Sequence, residues 1–232
     1  MKNKIYSSFD DAVADIPNGA TIMFADFGGI GAPQNLIAAL HRQGAHNLTG
    51  ISNSHGGIDG RVDVGTLVEA GQMKKMICAF TAPTHPSQMT PFARMYNAGE
   101  IEAELVPQGT LAERIRAAGA GIGGFYTPAG VHTEVAEGKE HREIDGRVYL
   151  LEYPLLADYA FIRAWKADTF GNLQFRLSQR NFNPIMAMAA KITIVEVENE
   201  ILPARALDPD EVHTPGVYVD RIIWISPDGI WA

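Results

Sequence analysis

Ile101-Glu102-Ala103-Glu104-Leu105-Val106-Pro107-Gln108-Gly109-Thr110-Leu111-Ala112-Glu113-Arg114-Ile115-Arg116-Ala117-Ala118-Gly119 reads as one strand, one turn and one helix. Residues 101–106 form the strand and Pro107 to Gly109 the turn. Thr110, with Glu113 three residues later, makes a capping box that starts the helix. The helix stops at Gly119, where a loop with five glycines in twelve residues begins. So many glycines mean tight turns or a backbone in close approach to something. The same strand–helix unit runs outward toward the N-terminus. Strands over residues 20–25, 48–52 and 75–80 alternate with helices over 34–43, 62–70 and 92–98, the first of these carrying Leu36, Ile37 and Leu40 at helical spacing. The alternation predicts an α/β fold: an open, mostly parallel sheet with crossover helices. The second half is less regular, with strands over 147–152, 159–165, 192–198 and 217–225 and a short helix over 184–191. Residues 133–145 are charged and read as a surface excursion beside a hairpin. No repeat or low-complexity linker divides the chain, so residues 1–232 are taken as one domain.

Composition narrows the function classes. With 19 basic and 27 acidic residues the net charge is -8. An acidic chain without a basic run is a poor nucleic-acid surface. No stretch approaches the ~18 apolar residues of a membrane span, and Met1-Lys2-Asn3-Lys4 leads into polar sequence rather than a secretory signal. The expectation is a cytoplasmic protein. The one cysteine, Cys78, lies in the apolar run Met76-Ile77-Cys78-Ala79-Phe80 and reads as a buried small hydrophobe, not a nucleophile.

In open α/β sheets ligands bind beyond the carboxyl ends of the strands. Four such loops follow here: Asp26-Phe27-Gly28-Gly29-Ile30-Gly31-Ala32-Pro33, Ser52-Asn53-Ser54-His55-Gly56-Gly57, Thr81-Ala82-Pro83-Thr84-His85-Pro86 and Pro107-Gln108-Gly109. Together they describe a pocket rim. The first precedes a helix, so the N–H groups around Phe27, Gly28, Gly29 and Gly31 could face an anion. Gln108 is the leading catalytic candidate: a side-chain amide at a strand end can donate to a developing oxyanion, and one such donor is worth ~3 kcal/mol. Asn53, His55, Gly130 and His132 complete the candidate binding set. A rim histidine can shuttle a proton, bind a substrate carboxylate or merely shape the pocket. His55, His85 and His132 have no metal-motif spacing, so no metal is expected. Glu196 and Glu198 alternate in Val195-Glu196-Val197-Glu198 and should share one strand face, read as solvated or interfacial. Arg163, Lys166, Arg176 and Arg180 form a basic cluster that could pair with Asp158 and Asp168 or meet a partner chain.

Several longer motifs stand in one order along nearly the whole chain. They are the 107–130 stretch, Ala157-Asp158-Tyr159-Ala160-Phe161-Ile162-Arg163-Ala164-Trp165-Lys166-Ala167-Asp168, Gly171-Asn172-Leu173, Asn181-Phe182-Asn183-Pro184 and His213-Thr214-Pro215-Gly216-Val217-Tyr218-Val219. In these the chain resembles the alpha subunit of family I CoA-transferases, which move CoA between 3-oxoacids and succinate or acetate. The resemblance implies that Gln108 faces the reacting carbonyl and that the loop after the first strand meets CoA. Asp26, His55 and His132 depart from the family pattern. The resemblance also implies a glutamate nucleophile carried by a beta subunit in a Glu-Asn-Gly-type motif. The nearest context here, Glu137-Gly138-Lys139, lies in the charged excursion, so this chain is half of an active site and the assembly a hetero-oligomer. An acyl-CoA thioester is then a substrate, with no permanently bound cofactor. Acetoacetate and 3-oxoadipate are the candidate acceptors, with residues 137–140 and 184–191 closer to 3-oxoadipate versions. Two alternatives stand beside this: a two-subunit CoA-thioester hydrolase or ring-cleaving enzyme on the same scaffold, and a non-catalytic binding relative.

Overall fold

The computed structural model describes residues 3–58, 60–80 and 89–225. In chain order these form α1 (Phe9–Val13), β1 (Thr21–Phe24), α2 (Gln34–Gln43), β2 (Leu48–Ile51), α3 (Val64–Glu69), β3 (Met73–Cys78), α4 (Pro91–Asn97), β4 (Glu102–Leu105) and α5 (Gln108–Gly119). There follow β5 (Phe125–Thr127), β6 (His141–Ile144), β7 (Arg147–Glu152), β8 (Ala157–Asp168), β9 (Leu173–Gln174), α6 (Asn183–Met188), β10 (Ala190–Leu202) and β11 (Arg221–Trp224).

The main sheet runs β11-β10-β8-β1-β2-β3-β4. Every neighbouring pair along that path is parallel, and β9 alone adds to β8 antiparallel. Parallel strands need a crossover between them, and helices supply it on both faces. In β1 the alternation of the pleat sends Ile22 and Phe24 into one core with Leu36, Leu67 and Phe92 from α2, α3 and α4. Met23 points the other way, to a second core with Leu111 and Ile115 of α5 and Met186 of α6. The fold is thus three layers, helix–sheet–helix. Cys78 is wholly buried at the end of β3, its S–H directed to Phe80 O at 3.3 Å. Burial pushes its thiol up to about 11.

Local chemistry explains where several elements begin and end. Thr90 Oγ1 accepts from the Ala93 N–H and Pro91 occupies the first turn of α4. Gly44, at φ 85°, closes α2. The expected capping box at Thr110 does not form. α5 begins at Gln108 with Pro107 before it and no side-chain cap. Thr110 is instead buried, with Oγ1 unpartnered among the described residues, and Glu113 pairs with Arg116. The last strand starts later than residue 217, because Gly216–Tyr218 makes a 3-10 turn. The less regular second half contributes three parallel strands to the main sheet, and β5-β7-β6 form a separate antiparallel sheet. The charged stretch runs from a short 3-10 turn at Glu134–Ala136 into β6, the exposed first strand of the β6–β7 hairpin. No helix among the described residues is long and apolar enough to cross a membrane.

Candidate functional site

The carboxyl end of β1 opens into a tight hairpin. Phe27 and Ile30 exchange both backbone hydrogen bonds, each 3.2 Å. Gly28 and Gly29 between them sit at φ 60° and 82°, the left-handed pair that a two-residue turn of this hand requires. Phe27 and Ile30 are left half exposed, 47% each. The N–H groups of residues 27–30 are taken up by partners inside the protein. Gly28 N–H donates to Ser54 Oγ, which donates to the Asp26 carboxylate at 2.7 Å. Asp26 is buried, and burial raises its carboxyl above the usual range against the pull of Ser54 and the Gly29 and Gly28 N–H groups. The helix start beyond the hairpin is also filled. Asn35 and Leu36 N–H, in the first turn of α2, donate to Glu196 Oε2 at 2.9 and 3.1 Å. The anion expected at this loop therefore meets N–H groups already holding the protein's own carboxylates.

Gln108, the first residue of α5, lies across from the hairpin. Its Nε2 donates to Asn53 Oδ1 at 2.8 Å, and Asn53 is buried beyond the end of β2. Gln108 and Phe27 both line a cavity of about 400 Å³, with Gly109, Ala112, Asn181, Phe182 and Ile185. None of these side chains is charged. Nothing in the sequence singles out Ala112 or Ile185 as lining residues. Asn181 and Phe182 belong to a family motif to which the sequence assigns no role. Asn181 fastens the hairpin, its Nδ2 donating to Ile30 O at 2.9 Å.

Other candidates fall elsewhere. His55 is not at the rim: it is 3% exposed, stacked on Phe92 at 5.3 Å and edge-on to Phe80, with Nδ1 2.9 Å from Gly56 O. Gly130 and His132 lie after β5 in a turn that Thr133 closes onto Gly130 O. His132 stands there at φ 67°, and neither residue lines the cavity. The loop of residues 81–86, with His85, lies outside the described residues. Among the described residues no group of three or more His, Cys, Asp and Glu is placed to hold a metal.

A second cavity, about 590 Å³, opens on the other side of the hairpin. Gly29 and Gly31 edge it, and Arg61, Arg163, Trp165, Arg176 and Glu198 line it. The basic cluster is resolved here, and not through Asp158 or Asp168. Arg163 bridges Glu196 and Glu198 at 3.3 Å each, Lys166 pairs with Glu200, and Arg176 lies 5.0 Å over the Trp165 ring. Asp158 takes Lys191 and the Thr21 N–H, and Asp168 takes Asn172 and the Phe170 and Arg205 N–H groups. Glu196 and Glu198 do share a face. Glu196 is nevertheless fully buried rather than solvated, and burial pushes its carboxyl up to about 7 against Arg163 and the two α2 N–H groups.

Comparison with known proteins agrees with this architecture. The coenzyme A transferase family model matches residues 6–224. The chain is 49% identical over 226 residues to the A subunit of 3-oxoadipate CoA-transferase from Pseudomonas putida, covering 97% of this chain and 95% of that protein. It is 46% identical over 220 residues to the A subunit of succinyl-CoA:3-ketoacid coenzyme A transferase from Helicobacter pylori, covering 95% and 91%. An acyl-CoA transferase of Escherichia coli O157:H7 superposes with a TM-score of 0.78 at 25% identity, over 99% of this chain and 48% of that one. This chain thus spans about half the length of that solved enzyme. A family match over residues 6–224, with relatives nearly half identical along almost the whole chain, makes this chain a member of the coenzyme A transferase family.

Proposed function

We infer that the chain is the alpha subunit of a two-subunit transferase that moves CoA from an acyl-CoA such as succinyl-CoA to a 3-oxoacid. Family membership supports the reaction class, and the names of its relatives support the division into two chains and the choice of acids. CoA enters as a thioester substrate and leaves as one, with no resident cofactor, and the reading puts the enzyme in the cytoplasm. The beta subunit supplies the glutamate nucleophile. Its carboxylate attacks the thioester carbonyl and expels CoA thiolate, leaving an acyl-glutamyl anhydride. The thiolate then attacks the glutamyl carbonyl, releasing the first acid and forming glutamyl-CoA, and the acceptor acid repeats the sequence in reverse. Each attack passes through a tetrahedral oxyanion.

One observation carries this chain's share of that chemistry. Gln108 stands at the lip of an uncharged cavity with one amide N–H fixed by Asn53. Its second N–H is then oriented in advance, which is what stabilises a developing oxyanion without reorganisation. Phe182, Ile185 and Ala112 keep the cavity apolar, which limits the water that would hydrolyse an anhydride. The hydrolase alternative would need a histidine with Asp26 behind it. Asp26 is engaged by Ser54, His55 is packed between aromatic rings and His132 is on another loop.

The test is co-expression with a beta subunit, then exchange assays between succinyl-CoA and acetoacetate or 3-oxoadipate. Rapid exchange on adding either acid, with slow thiol release before it, is the expected result. Fast thioester hydrolysis with no exchange would overturn the reading.

A further inference from the structure

Asp26 is a buried carboxylate that the transfer chemistry does not use. Its side chain is held by the Ser54 hydroxyl and by the Gly28 and Gly29 N–H groups, all neutral donors, and the charge that acts on it is a second carboxylate, Asp63. Burying a carboxylate on neutral donors costs stability, and departures of that kind gather at working sites. What Asp26 fixes is visible beyond the strand ends. The main-chain pairing of β1 with β2 stops at Met23 and Ile51. From there two serines carry the tie. Ser52 Oγ donates to Phe24 O at 2.9 Å, and Ser54 Oγ donates to Asp26 Oδ1 at 2.7 Å. The second tie has a part of the Gln108 cavity on each side. On one side Phe27 follows Asp26 directly, and Gly28 N–H donates to the same Ser54 oxygen at 3.2 Å. On the other, Asn53 precedes Ser54, and its Oδ1 accepts from Gln108 Nε2 at 2.8 Å. The Asn53 carbonyl accepts from Ala79 N–H at 3.2 Å, which holds this loop toward β3. Its hold toward β1 is the pair of serines.

We propose that Asp26 is a positioning residue for Gln108, acting through Ser54 and Asn53. The proposal rests on the reading of Gln108 as an oxyanion donor and deepens it. The carboxylate touches no reacting atom. It pins the Ser54 side chain, which fixes the peptide that follows Asn53 and so the place of the Asn53 oxygen. The Gln108 amide takes its plane from that oxygen. The same carboxylate braces the hairpin that carries Phe27, through Gly29 N–H directly and through Ser54 to Gly28 N–H. One buried group therefore sets both the donor and the facing wall of the cavity. Without it the loop of residues 52–55 keeps its bond to the β3 side and loses a hold on β1, so Asn53 and Gln108 drift relative to Phe27. A donor works only when held where charge develops, and a misplacement of about 1 Å is enough to cost a large factor in rate.

The experiment is a double-mutant cycle in the two-subunit enzyme. Asp26→Ala and Ser54→Ala are each made alone and together with Gln108→Ala, and kcat and KM are measured for exchange between succinyl-CoA and a 3-oxoacid. Each single variant should lower kcat by about tenfold with KM nearly unchanged, and in the Gln108→Ala background the same substitution should cost less than about twofold, because residues that act as a unit are not additive. Unchanged kcat in the single variants, or losses that multiply with that of Gln108→Ala, would overturn the proposal. Asp26→Asn, which keeps an acceptor for Ser54 but not the charge, should fall between wild type and Asp26→Ala. Ser54→Ala removes one hydroxyl and carries the test by itself if Asp26→Ala fails to fold, as melting temperatures will show. A second measurement needs no turnover. With isotope-labelled glutamine in this chain, the side-chain amide resonances of Gln108 are identified by their loss in Gln108→Ala. Asp26→Ala and Ser54→Ala should move them toward the positions of a solvated glutamine amide. Unmoved resonances would sink the positioning role even in an enzyme that exchanges CoA. Absence of exchange in the wild-type enzyme, by contrast, sinks the transferase reading alone.

Discussion

At the scale of residues, Gln108 is the position where a small change has the clearest outcome. Its contact with Asn53 fixes the plane of the amide. Gln108→Ala in the assembled enzyme should lower kcat by ~10²-fold or more with assembly intact, the usual cost of a lost oxyanion donor. Steady-state exchange rates and size-exclusion profiles test this, and a kcat within a few-fold of wild type would reduce Gln108 to a helix-start residue. That Gln108 lies just beyond the end of a strand is legible in the sequence, because Pro107 and Gly109 punctuate the stretch that follows residues 101–106. That it starts the helix is not. Thr110 and Glu113 mimic a capping box, but Thr110 lies on the apolar side of α5, so burial of its methyl overrides its capping preference. His55 misleads for a related reason. A histidine in a glycine-rich loop looks exposed until the fold brings Phe80 and Phe92 against its ring.

At the scale of elements, the joint between α2 and β10 stands out. A helix N-terminus attracts negative charge, and Glu196 supplies it from inside the protein. Burial nevertheless outweighs Arg163 and the N–H donors and pushes the carboxyl up to about 7. The sign follows. A carboxyl whose folded pKa lies above its unfolded one binds its proton more tightly in the folded state. Ionisation of Glu196 therefore costs stability, on the order of 3 kcal/mol, fully present above neutral pH and removed as pH falls toward the ordinary carboxylate range. Relative to Glu196→Gln, the wild-type chain should gain stability between pH 8 and pH 5.5 in denaturant titrations. A flat or opposite difference would contradict it. The pattern Val195-Glu196-Val197-Glu198 discloses the shared face. It cannot disclose the burial, because the partners come from β8 and α2, far away in sequence. β5 and β9, three and two residues long, leave no trace in the pattern because so few residues carry no period. Longer elements such as α2 and β7 are where their apolar patterns put them.

At the scale of the whole molecule, the alternation in the first half yields four adjacent strands, β1-β2-β3-β4. The second half extends the same sheet on the other side of β1 through β8, β10 and β11. That places both cavities around the β1 hairpin, near the middle of the sheet. The sequence nearest to a nucleophile motif, Glu137-Gly138, sits beside the exposed β6–β7 hairpin in the other sheet. The chain purified alone should therefore show no exchange between succinyl-CoA and either 3-oxoacid, with activity returning once the beta subunit is added. Turnover at enzyme-like rates by the single polypeptide would contradict the division of labour. The buried Cys78 has a practical bearing on every such assay. The chain's one sulfhydryl is sealed inside β3 and stays protonated at working pH, and thiolate is the form that attacks disulfide dyes. Colour developed by a thiol reagent in the presence of the folded chain thus counts coenzyme released, with no background from this polypeptide to subtract.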